Sequence, residues 1–422
     1  MMSNSHGGTS RRSDDEANKM TLRIMDLFLT HKLPVAKIAE TLSREEGKPF
    51  SRTLVYSYIQ RSPMMNILRL VPPHLADMKK AEFVHAFGIP ADCLWVADVD
   101  NPNSSPELVT ELAADVVRDL TIELGQRKNI ARSGDAASNR AGRSGGTLDR
   151  DVPAVGIGLG TGSISLDFAK AFARVMRVHN ESDPAPFPKC NLHALVSAYP
   201  PKYPQFCPMS FFALFADHFI NERIGLMTEP MVSCADFDDM CENKRRFGFY
   251  RAYQRREEVD IVVTAMGGFG VSSDLYRQFL EDAGLQEAHV ANVDDLVKEY
   301  GLVGNVQYRA YTETGAFLEK DHDPVGLKRP PTLFELKDLS RIATTKDRFV
   351  VLVVRRSSRD TTASVTNRAR ALLPLLRAKK GDELRVFSHL IIDVVTANEV
   401  LRLHDQLYRD GSPRIEAPMA GE

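Results

Sequence analysis

From residue 152 onward, short apolar runs rich in β-branched residues alternate with amphipathic stretches, and few architectures accept that alternation. "VPAVGIGL" (152–159), "LHALVSA" (192–198), "VDIVVTAMG" (259–267), "RFVVLVV" (348–354) and "HLIIDVVT" (389–396) read as buried strands. Helices are expected at "SFFALFADHFINERI" (210–224), around 273–283, around 363–378 and at 397–409. Buried strands separated by helices predict an α/β fold, a mostly parallel, doubly wound sheet covered on both faces. Ligands of such sheets bind at the carboxyl ends of the strands.

The first strand ends in "GIGLGTGSIS" (156–165), where glycines recur at every second position before an amphipathic helix begins. Glycine lets the backbone take positive φ and approach a ligand. The N–H groups of the following helix, with the hydroxyls of Thr161, Ser163 and Ser165, suit an anion. A Walker loop is excluded, because no lysine appears before Lys170. A dinucleotide fingerprint lacks its acid, because "CNLHALVSA" (190–198) closes without one. A second glycine turn, "TAMGGFGVSSDLY" (264–276), again joins strand to helix. The candidate effector-binding residues are therefore Gly158, Gly160, Thr161, Gly162, Ser163, Gly267, Gly268, Gly270 and Asp393, with the "ETGAF" turn (313–317) facing the same crevice. A strand-to-helix turn with no ligand would use the same first glycines.

Ahead of this region, residues 1–19 lack periodicity and read as a disordered tail. Apolar stripes then predict helices at 21–31, 34–42 and 51–61, with Ser51 as an N-cap. The polar face of the third helix carries Arg52, Thr53, Tyr56, Ser57, Gln60 and Arg61, groups able to reach phosphates and base edges. From Lys48 to Ala76 there are four Lys or Arg residues and no acid. This local basic patch sits in a chain of net charge −2 and matches a helix-turn-helix that enters a major groove. The same face would also serve as an ordinary solvated surface of a three-helix bundle. "MNILRLVPP" (65–73) then reads as a strand, 74–89 as a helix, 92–99 as a strand and 105–124 as a helix. The expected organisation is a helix-turn-helix domain at 20–75, an α/β effector domain at 76–410 and a disordered tail at 411–422. Residues 126–150, rich in Gly, Ser, Ala and Arg, read as a flexible insertion.

No run approaches a membrane span, and the polar N-terminus has no signal-like apolar core, so a soluble cytoplasmic protein with no membrane partner is expected. The five cysteines are scattered without a C-x-x-C pair, which predicts reduced thiols and no metal site. No cofactor is expected.

The order of these parts resembles the SorC family of bacterial sugar-responsive transcription regulators. "PVAKIAETL" with "SRTLVYSYIQR" is similar to its helix pair, "NILRLVPP" to the strand leaving the DNA-binding unit, and "HAFGIPADCLWVADV" to its Phe-Gly helix end and next strand. "VGIGLGTG" and "VTAMGGFGVSS" resemble its two turns, "VGNVQYRAYTETG" its Gly-[Asn/Asp]-[Ile/Val] segment, and "IIDVVTANEVL" its closing Asp-x-x-Thr-Ala motif. The resemblance implies a sugar-isomerase-like effector domain, a small phosphorylated sugar-like effector, operator DNA, and a homo-oligomer, dimer or tetramer. The chain departs from the family at "SAYPPKYPQFCP" (197–208) and at "RRSSRDTTASV" (355–365), where glycines are usual, and Val394 stands where an acid is common. The alternative is a sugar-phosphate isomerase or deaminase-like enzyme, with Asp274, Glu313 or Asp393 as the acid. The deaminase-like Asp-Gly-His loop is missing from "MGGFGVSSD" (266–274), which favours the regulator over the enzyme.

Overall fold

The computed structural model describes residues 19–31, 33–64, 73–99, 106–139, 154–182, 186–197, 203–229, 232–245, 247–269, 293–316, 329–357 and 360–409. The chain divides into two units, one ending at Pro73 and one beginning at His74.

The first unit is helical. Helix α1 (19–25) continues into a π-helical turn, Asp26–Thr30, and is followed by α2 (Val35–Glu46) and α3 (Arg52–Met64). Gly47 ends α2 in the left-handed region at φ 64°, where a side chain is disfavoured. The Ser51 hydroxyl accepts from Leu54 N–H at 3.1 Å, the expected cap of α3. Ile24, Leu27, Ile38, Ala39, Leu42, Phe50 and Val55 form a core of their own, the large aliphatics each contributing about 1.5–3 kcal/mol on burial.

The second unit is built on a nine-stranded sheet. Its strands are β1 (Leu94–Ala97), β2 (Val155–Leu159), β3 (Cys190–Ala194), β4 (Ile220–Ile224), β5 (Ile261–Gly268), β6 (Leu302–Val306), β7 (Arg309–Thr312), β8 (Phe349–Val354) and β9 (His389–Asp393). Seven are parallel, in the order β1-β9-β8-β5-β2-β3-β4. The hairpin β6–β7 pairs antiparallel with the end of β5. Every residue of β2 and β9 is buried, so both faces of the sheet are covered, as unbroken apolar runs require. The helices are α4 (Pro73–Phe87), α5 (Glu107–Asn139), α6 (Ser163–Ser182), α7 (Pro208–Phe211), α8 (Cys234–Glu242), α9 (Phe247–Gln254), α10 (Val293–Glu299), α11 (Leu336–Thr344), α12 (Thr362–Arg377) and α13 (Val394–Arg409).

Three sequence expectations are corrected. The helix expected at 210–224 is a short helix, 3-10 turns and the edge strand β4. Phe211, Phe212, Phe215 and Phe219 imitate a helical stripe, yet all four are buried from these short turns, and Asn221, Glu222 and Arg223 lie exposed along β4. The segment 126–139 is not loop but the continuation of α5. Its basic residues supply the anchorage that apolar periodicity does not: Lys128 Nζ reaches Asp260 at 2.6 Å and Ala154 O at 3.1 Å, and Arg127 pairs with Asp347. Strand β9 ends at Asp393 and α13 starts at once, because Asp393 caps it. The strand expected at 65–73, the helix around 273–283 and the rest of the insertion, 140–150, lie outside the described residues.

Among the described residues no helix is long and apolar enough to cross a membrane, and none of their His, Cys, Asp and Glu groups could hold a metal ion. No disulfide joins the five cysteines, and burial pushes the thiols of Cys93 and Cys241 up to about 11.

Candidate functional site

The parallel strands deliver several polar groups to the carboxyl end of the sheet. The glycine turn after β2 is tightly bonded. Gly160 N–H donates to Val263 O at 2.9 Å, prolonging the pairing of β2 with β5. The Thr161 hydroxyl and Gly162 N–H both donate to Phe206 O, at 2.8 and 3.2 Å. Gly162 has φ 101°, a conformation that only glycine adopts readily. Gly158 is needed for packing, since a Cβ there would lie 2.5 Å from Leu195 Cδ2. Ser163 opens α6 and is exposed. Ser165, in the first turn of α6, is 3 % exposed, and its hydroxyl has no hydrogen-bond partner.

Gly267 and Gly268 are the last residues of β5 and pair with Asn305 and Gly304 of β6. Gly270 lies outside the described residues. The loop joining β6 to β7 is two residues long, and Gln307 and Tyr308 both take left-handed φ, 51° and 61°. That is the geometry of a tight hairpin turn usually given to Asn-Gly. Here it turns a large amide inward: Gln307 is 3 % exposed with neither amide atom hydrogen-bonded, and Asn305 Nδ2 is likewise buried without a partner. Arg309, which follows the turn, is 2 % exposed and donates to Pro330 O. Pro331 O in turn accepts from Ser197 N–H just beyond β3. Glu335 lies between Arg309 and Arg329; burial pushes its carboxyl up, but the two guanidinium charges outweigh that and hold it low.

Asp393 is fully buried. One carboxylate oxygen accepts from Thr396 N–H at 2.7 Å, the other from Thr396 Oγ1 at 2.8 Å and Arg356 N–H at 2.7 Å. These donors make it a helix cap that also fixes the chain leaving β8. The "ETGAF" turn is not brought to the first glycine turn. Ala316 N–H donates to Glu383, in the connection between α12 and β9, and Glu313 lines a surface groove with Arg370 and Arg377.

Sequence reasoning missed Arg355. This residue follows β8, its side chain is 10 % exposed, and Nη2 is paired with Asp167 of α6 at 2.6 Å. Its Nη1 is buried with no hydrogen-bond partner. A buried cationic donor left open is costly and marks a place where an anion restores the balance. The signal was present as two arginines directly after an unbroken apolar strand. Asn305 and Gln307 gave no comparable signal.

In the first unit, Arg52, Thr53, Tyr56 and Ser57 of α3 are all exposed, Tyr56 to 52 %. Gln60 and Arg61 lie on α3, but their side chains are outside the described residues.

No family model and no curated protein matches the sequence. Solved structures do resemble the chain. The full-length sorbitol operon regulator SorC of Klebsiella pneumoniae is 12 % identical, with 92 % of this chain and 99 % of that one covered at a TM-score of 0.49. A DeoR family transcriptional regulator from Listeria monocytogenes is 13 % identical over 77 % and 98 % at 0.45. A transcriptional regulator from Streptococcus pneumoniae is 14 % identical over 78 % and 97 % at 0.47.

Proposed function

We propose that this chain is a DNA-binding transcription regulator whose α/β unit binds a small anionic, sugar-phosphate-like effector. The observation that carries the reading is Arg355 Nη1, a buried cationic donor left unpaired at the carboxyl end of the sheet, in a chain that also has a separate helical unit. Asn305 and Gln307 add buried amide groups suited to hydroxyls, and Ser165 adds a hydroxyl. The exposed face of α3, with Arg52, Thr53, Tyr56 and Ser57, supports operator contact through phosphates and base edges. Gly158, Gly160, Thr161, Gly162, Ser163, Gly267, Gly268 and Gly270 frame the effector region in this reading. Asp393 holds its rim in place.

The enzyme alternative needs a general base close to the glycine turns. Asp274 lies outside the described residues, Glu313 lines a surface groove with Arg370 and Arg377, and the enclosed carboxylate of Asp393 is committed to three donors, which supports the regulator over the enzyme. Effector and operator are linked if the effector prefers one arrangement of the protein over another. A homo-oligomer, dimer or tetramer, acting in the cytoplasm would present paired α3 helices to operator half-sites. The test is selection of a bound sequence from a random DNA pool, followed by titration of that complex with a panel of sugar phosphates. A selected operator whose affinity changes with one member of the panel supports the reading. Failure to enrich any sequence overturns it.

A further inference from the structure

We infer that the first glycine turn carries its own stand-in ligand: the Phe206 carbonyl occupies the donors an anion would take, and an anion enters by displacing the Pro204–Phe206 turn. This inference rests on the effector reading above and adds how that site is regulated. Thr161 Oγ1 and Gly162 N–H both converge on this one oxygen, at 2.8 and 3.2 Å. Two donors on one acceptor at the start of a 20-residue helix is the arrangement an oxyanion uses. Ser165, in the same first turn, keeps a buried hydroxyl unpartnered, so the Phe206 carbonyl leaves the polar capacity of this helix end unfilled.

The occupying segment is built to move as a piece. Phe206 N–H donates to Tyr203 O at 3.0 Å, Cys207 N–H to Pro204 O at 3.1 Å, and the Ser210 hydroxyl to Gln205 O at 3.0 Å. The rings of Tyr203 and Phe206 stack at 5.6 Å. These bonds are internal to residues 203–210, and Tyr203, Pro204 and Gln205 are exposed. Releasing Phe206 O from the glycine turn breaks none of them.

The exchange selects for charge. A carbonyl is a neutral acceptor, whereas a phosphate or carboxylate oxygen is ionised and makes shorter, stronger hydrogen bonds, and the dipole of α6 favours it further. A neutral sugar offers hydroxyls no better than the carbonyl already in place. The plug thereby rejects uncharged sugars and lowers the apparent affinity for anions by the fraction of molecules that are open.

The experiment titrates the full-length protein with inorganic phosphate by calorimetry, comparing wild type with Tyr203→Ala/Pro204→Gly. Both substitutions loosen the turn and lie outside the donor set. Phosphate is expected to bind the variant at least about threefold more tightly, through the larger open fraction, with potassium chloride at equal ionic strength having no effect. In wild type, phosphate should expose the half-buried Phe206 ring, read as faster hydroxyl-radical labelling of Phe206, while slowing hydrogen exchange at Gly162 to Ser165, a measurement that needs no variant. Equal affinities together with unchanged labelling of Phe206 would overturn the displacement and leave the anion site standing. If neither protein binds phosphate or any sugar phosphate, the anion site and the plug both fall.

Discussion

Arg355 Nη2 lies 2.6 Å from Asp167 Oδ2, so one ion pair ties the end of β8 to the start of α6 and steadies the cation at the carboxyl end of the sheet. Asp167 uses one side of the guanidinium and leaves Nη1 for a ligand. Arg355→Leu should therefore weaken binding of the active sugar phosphate by roughly ten- to a hundred-fold, the value of a charge-assisted hydrogen bond of about 1.5–3 kcal/mol. Arg355→Lys, which keeps charge but not the forked donors, should fall between. Calorimetric titration of the three proteins checks the order, and equal affinities would remove Arg355 from the site.

The exposed residues of α3 predict a division of labour on DNA. Arg52→Ala should reduce affinity for every sequence and lower the slope of log K against log salt by about one. Tyr56→Ala and Thr53→Ala should instead cost about 1–3 kcal/mol on the selected operator and little elsewhere, if they touch base edges. Fluorescence anisotropy over a salt series separates the two. Uniform, salt-independent losses would contradict the assignment.

His193 sits in the middle of β3, fully buried, with neither ring nitrogen hydrogen-bonded. Burial lowers its pKa from the ordinary 6.5 to about 4. Between those values the unfolded chain binds a proton that the folded chain refuses, so stability is full above pH 6.5 and declines as pH falls toward 4. The loss reaches about 3 kcal/mol from this residue alone. His389, also lowered by burial to about 4, adds to the same limb. His193→Leu forfeits no hydrogen bond and should flatten the acid limb while leaving stability at pH 7 unchanged or higher. Urea unfolding from pH 7 to pH 4.5 measures it, and an equally steep limb in the variant would refute the assignment.

Arg368 and Asp360 form an enclosed ion pair at 2.6 Å, their side chains 7 % and 2 % exposed, beside the start of α12. Breaking such a pair strands a buried charge, so Arg368→Met should cost about 3–5 kcal/mol. Adding Asp360→Asn should restore much of that loss. Denaturant midpoints of the single and double variants form the cycle.

The parallel sheet was legible because β8 and β9 are short unbroken apolar runs, and a strand buried on both faces needs no alternation. The glycine turn was legible for the same local reason: Gly162 declares its backbone in its identity. The 15-residue stretch containing β4 was not, because four phenylalanines at helical intervals satisfy a helix and a set of tight turns equally well. The extent of α5 was hidden too, since Lys128 and Arg127 bind acids more than a hundred residues away. Gln307 and Asn305 became visible only through the hairpin that buries them. The role of Phe206 could not be read at all, because a backbone carbonyl is the same in every residue.

Strand β4 closes one side of the sheet with Asn221, Glu222 and Arg223 in solvent. Among the described residues no strand lies beyond β4; an edge of this kind is a template on which another molecule can continue the sheet, and charged side chains are a recognised deterrent. Glu222 pairs with Arg255 and Arg223 with Asp217, and a strand added at β4 would have to strip hydration from these charges. The charges on this border therefore disfavour extension of the sheet by a further strand.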